Sequence, residues 1–93
     1  MENSLDVVVI GNAGIDTNIY LHGAEIDFSV EANFTENIDC LGQAGGYASR
    51  GYARLGKRTG FIGYVGDDFS GQFICREFVR DGINTQAVFI DPA

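Results

Sequence analysis

The order of segments after position 43 limits the possible folds more than any other feature. The spacing of Ala44, Ala48, Gly51, Tyr52 and Leu55 is helical, and Gly56 stands where a helix takes its terminal glycine. The apolar run 59–65 then reads as a buried strand, with Gly60 and Gly63 marking close approach by a neighbouring element. Asp68 follows as an N-cap, leading a second helix that carries Phe69, Phe73, Ile74 and Phe78 and ends at Gly82. Ala87, Val88, Phe89 and Ile90 open another strand just before the last residues, Pro92 and Ala93. A β-branched run at 5–10, ended by Gly11, supplies a first strand that reads as buried on both faces. Strand–helix–strand units of this kind close with a right-handed hand and give a parallel sheet with helices against it. The expected class is therefore α/β, with a sheet that lacks its closing strands.

Between the first strand and the first helix the period changes. Ile26, Phe28, Val30, Ala32 and Phe34 alternate with Asp27, Ser29, Glu31, Asn33 and Thr35, which predicts a strand or ribbon over 26–34 with one apolar face. Internal repeats and linkers are absent from the text of the chain.

Six basic residues against thirteen acidic ones give a formal charge of −7, which argues against a nucleic-acid partner, since nothing here would neutralise a phosphate backbone. Cys40 and Cys75 lie far apart, with no CxxC or histidine at metal spacing, and are expected to be reduced thiols. No basic leader or long apolar run is present, so a cytoplasmic protein is expected.

Chemistry is concentrated at two places. Gly11-Asn12-Ala13-Gly14-Ile15-Asp16 follows the first strand, but its GxxG spacing and the strand-like residues after it do not fit the GxGxxG dinucleotide fingerprint. What remains is Asp16, a carboxylate beyond the carboxyl end of a strand, suited to accept hydrogen bonds from the hydroxyls of a polyol. Leu41-Gly42-Gln43-Ala44-Gly45-Gly46-Tyr47 is a small-residue loop running into the first helix, where backbone N–H groups can approach a ligand. Taken alone, such a loop is more often a tight connection.

The segment from Ala53 to Asp68, ARLGKRTGFIGYVGDD, resembles the core of the PfkB (ribokinase-like) carbohydrate kinases, which write it as ALARLG, a short strand, then IGxVGDDxxG. Ser49 stands at the small position of the first family signature, Gly56 seven residues later and Gly66 ten beyond that. Asp67, Asp68 and Gly71 continue it, and Arg80-Asp81-Gly82-Ile83-Asn84-Thr85 is similar to the EGVDT that ends the next helix.

This resemblance implies a ribokinase-like sheet flanked by helices with a small β lid over about residues 20–40, incomplete in this chain, so that 1–93 is the amino-terminal part of a kinase domain. It implies transfer of the γ-phosphoryl group of ATP, with Mg²⁺, to a hydroxyl of a sugar or nucleoside, and a homodimer formed through the lid. Asp16 matches the family's acceptor-holding aspartate, while the asparagine often found two residues earlier is Gly14; Asn12 is the candidate to compensate. In the glycine loop, usually GGxxxN, Gly42 stands at the first glycine, Gln43 at the second and Tyr47 at the asparagine. Tyr47 keeps a hydroxyl and adds an aromatic face for stacking, unless it is simply packed. The implied substrate-binding set is Asp16, Asn12, Gly42, Gln43, Gly45, Gly46 and Tyr47.

The second family signature, DTxGAGD, with the catalytic aspartate, does not occur in these residues, so no catalytic residue, ATP contact or metal ligand is assigned to them. The segment alone is expected to be inactive and poorly soluble, as a fragment of a longer protein or a truncated gene product. The alternative is a short binding or dimerising module built on the ribbon. Asp67 and Asp68 are expected as turn and cap, His22, Lys57 and Arg58 as solvated surface, and Asn33-Phe34-Thr35 as a glycosylation sequon in form only.

Overall fold

The computed structural model describes residues 4–92. Seven elements follow in order: β1 (Val7–Ile10), β2 (Gly14–Leu21), β3 (Thr35–Gly42), α1 (Gln43–Arg54), β4 (Thr59–Gly66), α2 (Phe69–Arg80) and β5 (Asn84–Asp91). β1, β4 and β5 form a parallel sheet in that order, with Val9 opposite Phe61 and Gly63 opposite Val88. β2 and β3 pair antiparallel in full register, from Gly14 opposite Gly42 to Leu21 opposite Thr35.

The helices form where capping and period agree. The Asp68 carboxylate accepts from the backbone N–H of Gly71 at 2.8 Å, which satisfies one of the free donors at the start of α2. Both helices stop in the same way, at Gly56 (φ 83°) and Gly82 (φ 76°), a left-handed conformation that a Cβ opposes. Phe61 lies against Phe78 of α2, ring centroids 4.9 Å apart, and against Gly45 of α1, so both helices cover the same face of the sheet. Leu41, Phe61, Val65, Ile74, Phe78 and Ile83 are the buried core, and Ala13, Ile15 and Leu41 tie the base of the ribbon into it.

Three sequence expectations are corrected. β1 is not buried on both faces: Val8 and Ile10 point to the uncovered side of the sheet, where Tyr64 and Phe89 also stack in the open. The stripe Ala48, Gly51, Tyr52 and Leu55 is not the packed side of α1. The helix buries Gly45, Gly46 and Ser49 instead, because small residues let it lie close on the sheet.

The third correction concerns 26–34, which forms no strand. The ladder is made by the flanking segments, and this stretch is a bent tip closed by its own polar side chains. Asp27 accepts from the backbone N–H and hydroxyl of Ser29, and Asn33 exchanges hydrogen bonds with the Asp27 backbone. With no partner strand, alternation alone leaves Phe28 and Phe34 about nine-tenths exposed.

Candidate functional site

The site lies where the ribbon leaves the sheet. Gly14, Asp16 and Asn18 share one face of β2, because side chains alternate along a strand, and Gly42, Cys40 and Ile38 stand opposite them on β3. Asp16 is half-buried. The Tyr47 hydroxyl, from the second turn of α1, donates to Asp16 Oδ2. Tyr47 is therefore not packed away: it is 57% exposed and tethered through its hydroxyl. A carboxylate has about four lone-pair sites, of which the Tyr47 hydroxyl uses one.

Gly42 is pressed against the Asp16 carboxylate so closely that a Cβ there would collide with it. The next residue, Gln43, has φ 64°, the left-handed backbone where a side chain costs roughly 1 kcal/mol or more. No other non-glycine residue among those described adopts a positive φ. The Gln43 side chain extends across Gly14: a Cβ built there would lie 2.8 Å from Nε2.

The remaining predicted residues are placed differently. Gly45 is buried, its Cα turned into the Asn12 carbonyl and the Phe61 ring, and Gly46 is buried beside Leu41 and Ala13. Both act in bringing α1 close to the end of β1. Asn12 is exposed, and with Gly11, Gln43, Ala44 and Gly45 it borders an open cleft of about 430 Å³ beyond the carboxyl end of β1. The geometry thus brings Asp16, Gly42, Gln43 and Tyr47 together, with Gly45 and Gly46 beneath and Asn12 at the cleft edge. Sequence reasoning missed Asn18 and Cys40, linked at 3.7 Å on the Asp16 face; the period-two spacing from Asp16 to Asn18 was the available signal.

Elsewhere, Asp68 is the cap that was expected and His22 is exposed. Arg58 is not simply solvated, since it pairs with Asp6 at 3.0 Å, and these hydrogen bonds hold the Asp6 carboxyl below the usual carboxylate range. Both cysteines are free thiols, and burial pushes the Cys75 thiol up. Among the described residues, no group of three or more His, Cys, Asp or Glu side chains could hold a metal ion. No helix among the described residues is long and apolar enough to cross a membrane.

The chain is 38% identical over 90 residues to the 5-dehydro-2-deoxygluconokinase of Geobacillus kaustophilus, covering 97% of this chain and 25% of that protein. It is 34% identical over 88 residues to the protein of the same name from Clostridium perfringens, covering 94% and 24%. Among solved structures, a putative ribokinase from Agrobacterium tumefaciens superposes with a TM-score of 0.80 at 26% identity, covering 94% of this chain and 28% of that one. The aminoimidazole riboside kinase of Salmonella enterica superposes with a TM-score of 0.68 at 29% identity, covering 91% and 25%. The chain spans about a quarter of the length of these relatives. The profile of the pfkB family carbohydrate kinases matches residues 4–93, and with the ribokinase-like sheet and ribbon described above it follows that this chain belongs to that family.

Proposed function

We propose that these residues form the acceptor-binding part of an ATP-dependent sugar or nucleoside kinase. The observation that carries the reading is the Asp16 carboxylate, held by the Tyr47 hydroxyl and pressed by Gly42 where the ribbon meets the sheet. A carboxylate fixed in this way orients a hydroxyl before reaction, and such positioning can remove several kcal/mol, up to about 7–11 in well-oriented cases, from a barrier. Gly42, Gln43 and Tyr47 line the acceptor, Gly45 and Gly46 hold α1 against the strand end, and Asn12 closes the cleft edge. The projecting β2–β3 ribbon is the lid, excluding water when it folds over the acceptor.

On this reading ATP and Mg²⁺ are held by other parts of a longer protein that works in the cytoplasm; the named relatives are about four times the length of this chain. The segment alone is inactive on this reading. Both kinds of acceptor have named relatives, a 5-dehydro-2-deoxygluconokinase and an aminoimidazole riboside kinase. The test is ATP-dependent phosphorylation by the full-length protein across a panel of sugars, sugar acids (5-dehydro-2-deoxygluconate first) and nucleosides. Turnover of one class supports the reading, and failure with every acceptor sinks it.

A second reading is favoured by a separate observation. Ile19 on the ribbon and Phe28 and Phe34 at its tip are exposed apolar side chains, suited to clasp a second copy. A lid-mediated homodimer predicts that Phe28→Ser with Phe34→Ser converts a dimer to a monomer in light scattering. A species that is monomeric before substitution contradicts it.

A further inference from the structure

Gly14 and Gln43 occupy one space between them. They come from different elements at the ribbon's base, Gly14 opening β2 and Gln43 opening α1 directly after β3. A Cβ at Gly14 would lie 2.8 Å from Gln43 Nε2, 3.1 Å from Cδ and 3.2 Å from Cγ, so the glutamine side chain fills the volume that a side chain at position 14 would need. Gly14 is two residues before Asp16 on the same strand face, which sets the Gln43 carboxamide about 6–7 Å along from Asp16 in the strand direction. The carboxamide is exposed and makes no hydrogen bond among the described residues, although its backbone is held at φ 64°. Glycine would take that conformation without strain. A side chain kept there against its backbone preference, beside a fixed carboxylate and without a protein partner, is placed for a ligand.

We propose that the Gln43 carboxamide is a specificity-determining group for the acceptor, reading the oxygen next to the hydroxyl that Asp16 holds, and that Gly14 is glycine to make room for it. The carboxamide is neutral and offers both a donor and an acceptor, so it suits a hydroxyl or an oxo group. The favoured acceptor is then a polyhydroxylated compound with a second oxygen adjacent to the Asp16-bound one. This inference rests on the acceptor-binding function proposed above.

A substitution cycle in the full-length protein tests it, using the acceptor that the panel identifies. Gln43→Gly removes the carboxamide and relieves the backbone, so the melting temperature rises while kcat/KM for the acceptor falls about tenfold or more and KM for ATP stays within about twofold. A structural role would lower both stability and activity. Gly14→Asn alone forces two side chains into one space and lowers acceptor kcat/KM. Combined with Gln43→Gly it returns a carboxamide to that space from the β2 side and recovers activity to within about fivefold of the parent. If Gly14→Asn does not fold, the Gln43→Gly arm decides alone. Acceptor kcat/KM unchanged in Gln43→Gly, while Asp16→Ala inactivates, overturns this inference and leaves the function standing. If Asp16→Ala also retains activity, both fall.

Discussion

The sheet with its two helices and the ribbon with its tip are built from similar proportions of apolar residues, yet they use them in opposite ways. In the sheet, Phe61 and Phe78 are almost wholly buried and each contact is shared by two or three elements. In the tip, Phe28 and Phe34 are almost wholly exposed, and the local shape comes from Asp27, Ser29 and Asn33 hydrogen-bonding to one another. The difference teaches where stability resides and, on the proposed function, where recognition does. The sheet holds the base of the ribbon through Ala13, Ile15 and Leu41, and the ribbon is left free to present Asp16 and its neighbours.

The largest expected contrast is between aromatic residues of the two regions. Phe61→Ala should lower the unfolding free energy by about 3–5 kcal/mol, the range for emptying a buried aromatic site, as measured by denaturant titration of the full-length protein. Phe28→Ser should change it by less than about 0.5 kcal/mol. Equal effects would show that the tip is packed in the working protein, and the contrast would fail.

Next in size is the tie between the helices. Arg50 in α1 reaches Asp81 at 2.7 Å and Glu77 at 3.5 Å at the end of α2, with all three side chains largely covered. Arg50→Ala leaves the partly buried Asp81 without its cation, and Glu77 with Arg80 alone at 3.3 Å, and should destabilise by about 1–3 kcal/mol. Its effect on the acceptor KM should be small, which separates a sheet-side substitution from a ribbon-side one.

A smaller change runs the other way. Tyr47→Phe removes the tether on Asp16 and should lower acceptor kcat/KM about three- to thirtyfold, the loss of a hydrogen bond to a charged group, with stability almost unchanged.

The smallest effect concerns Asp6 and Arg58, which join the start of β1 to the turn before β4. Because the folded Asp6 carboxyl titrates below its ordinary range, its contribution is complete above the unfolded carboxyl's titration and is lost as pH falls through the folded value. In an NMR titration, Arg58→Ala should return the Asp6 midpoint upward. No upward movement would contradict the assigned cause.

The sheet was legible because several levels of the sequence agree there. Asp68 and Gly82 bracket α2, Ile74 and Phe78 recur at helical spacing, and β4 is a continuous apolar run. The packed face of α1 was not legible, since Gly45, Gly46 and Ser49 carry no hydrophobic signal and are chosen by the approach of helix to sheet. The 26–34 alternation misled for a related reason. Period two describes what a strand would bury, but a strand also needs a hydrogen-bonded partner, and β2 and β3 had already paired with each other. In the candidate site, the placement of Asp16 and the Gly42 loop between the first strand and the first helix was readable from chain order. The closeness of Gln43 to Gly14 depends on ribbon register and backbone sign, which the letters alone do not state.

The central claim is that the Asp16 carboxylate holds the acceptor, and Asp16→Ala in the full-length protein tests it most directly. Steady-state kinetics varied in acceptor and in ATP should give kcat/KM for the acceptor reduced by about 100-fold or more, with KM for ATP changed by less than about threefold. Acceptor kcat/KM within about threefold of the parent, or a loss confined to ATP, would contradict the account.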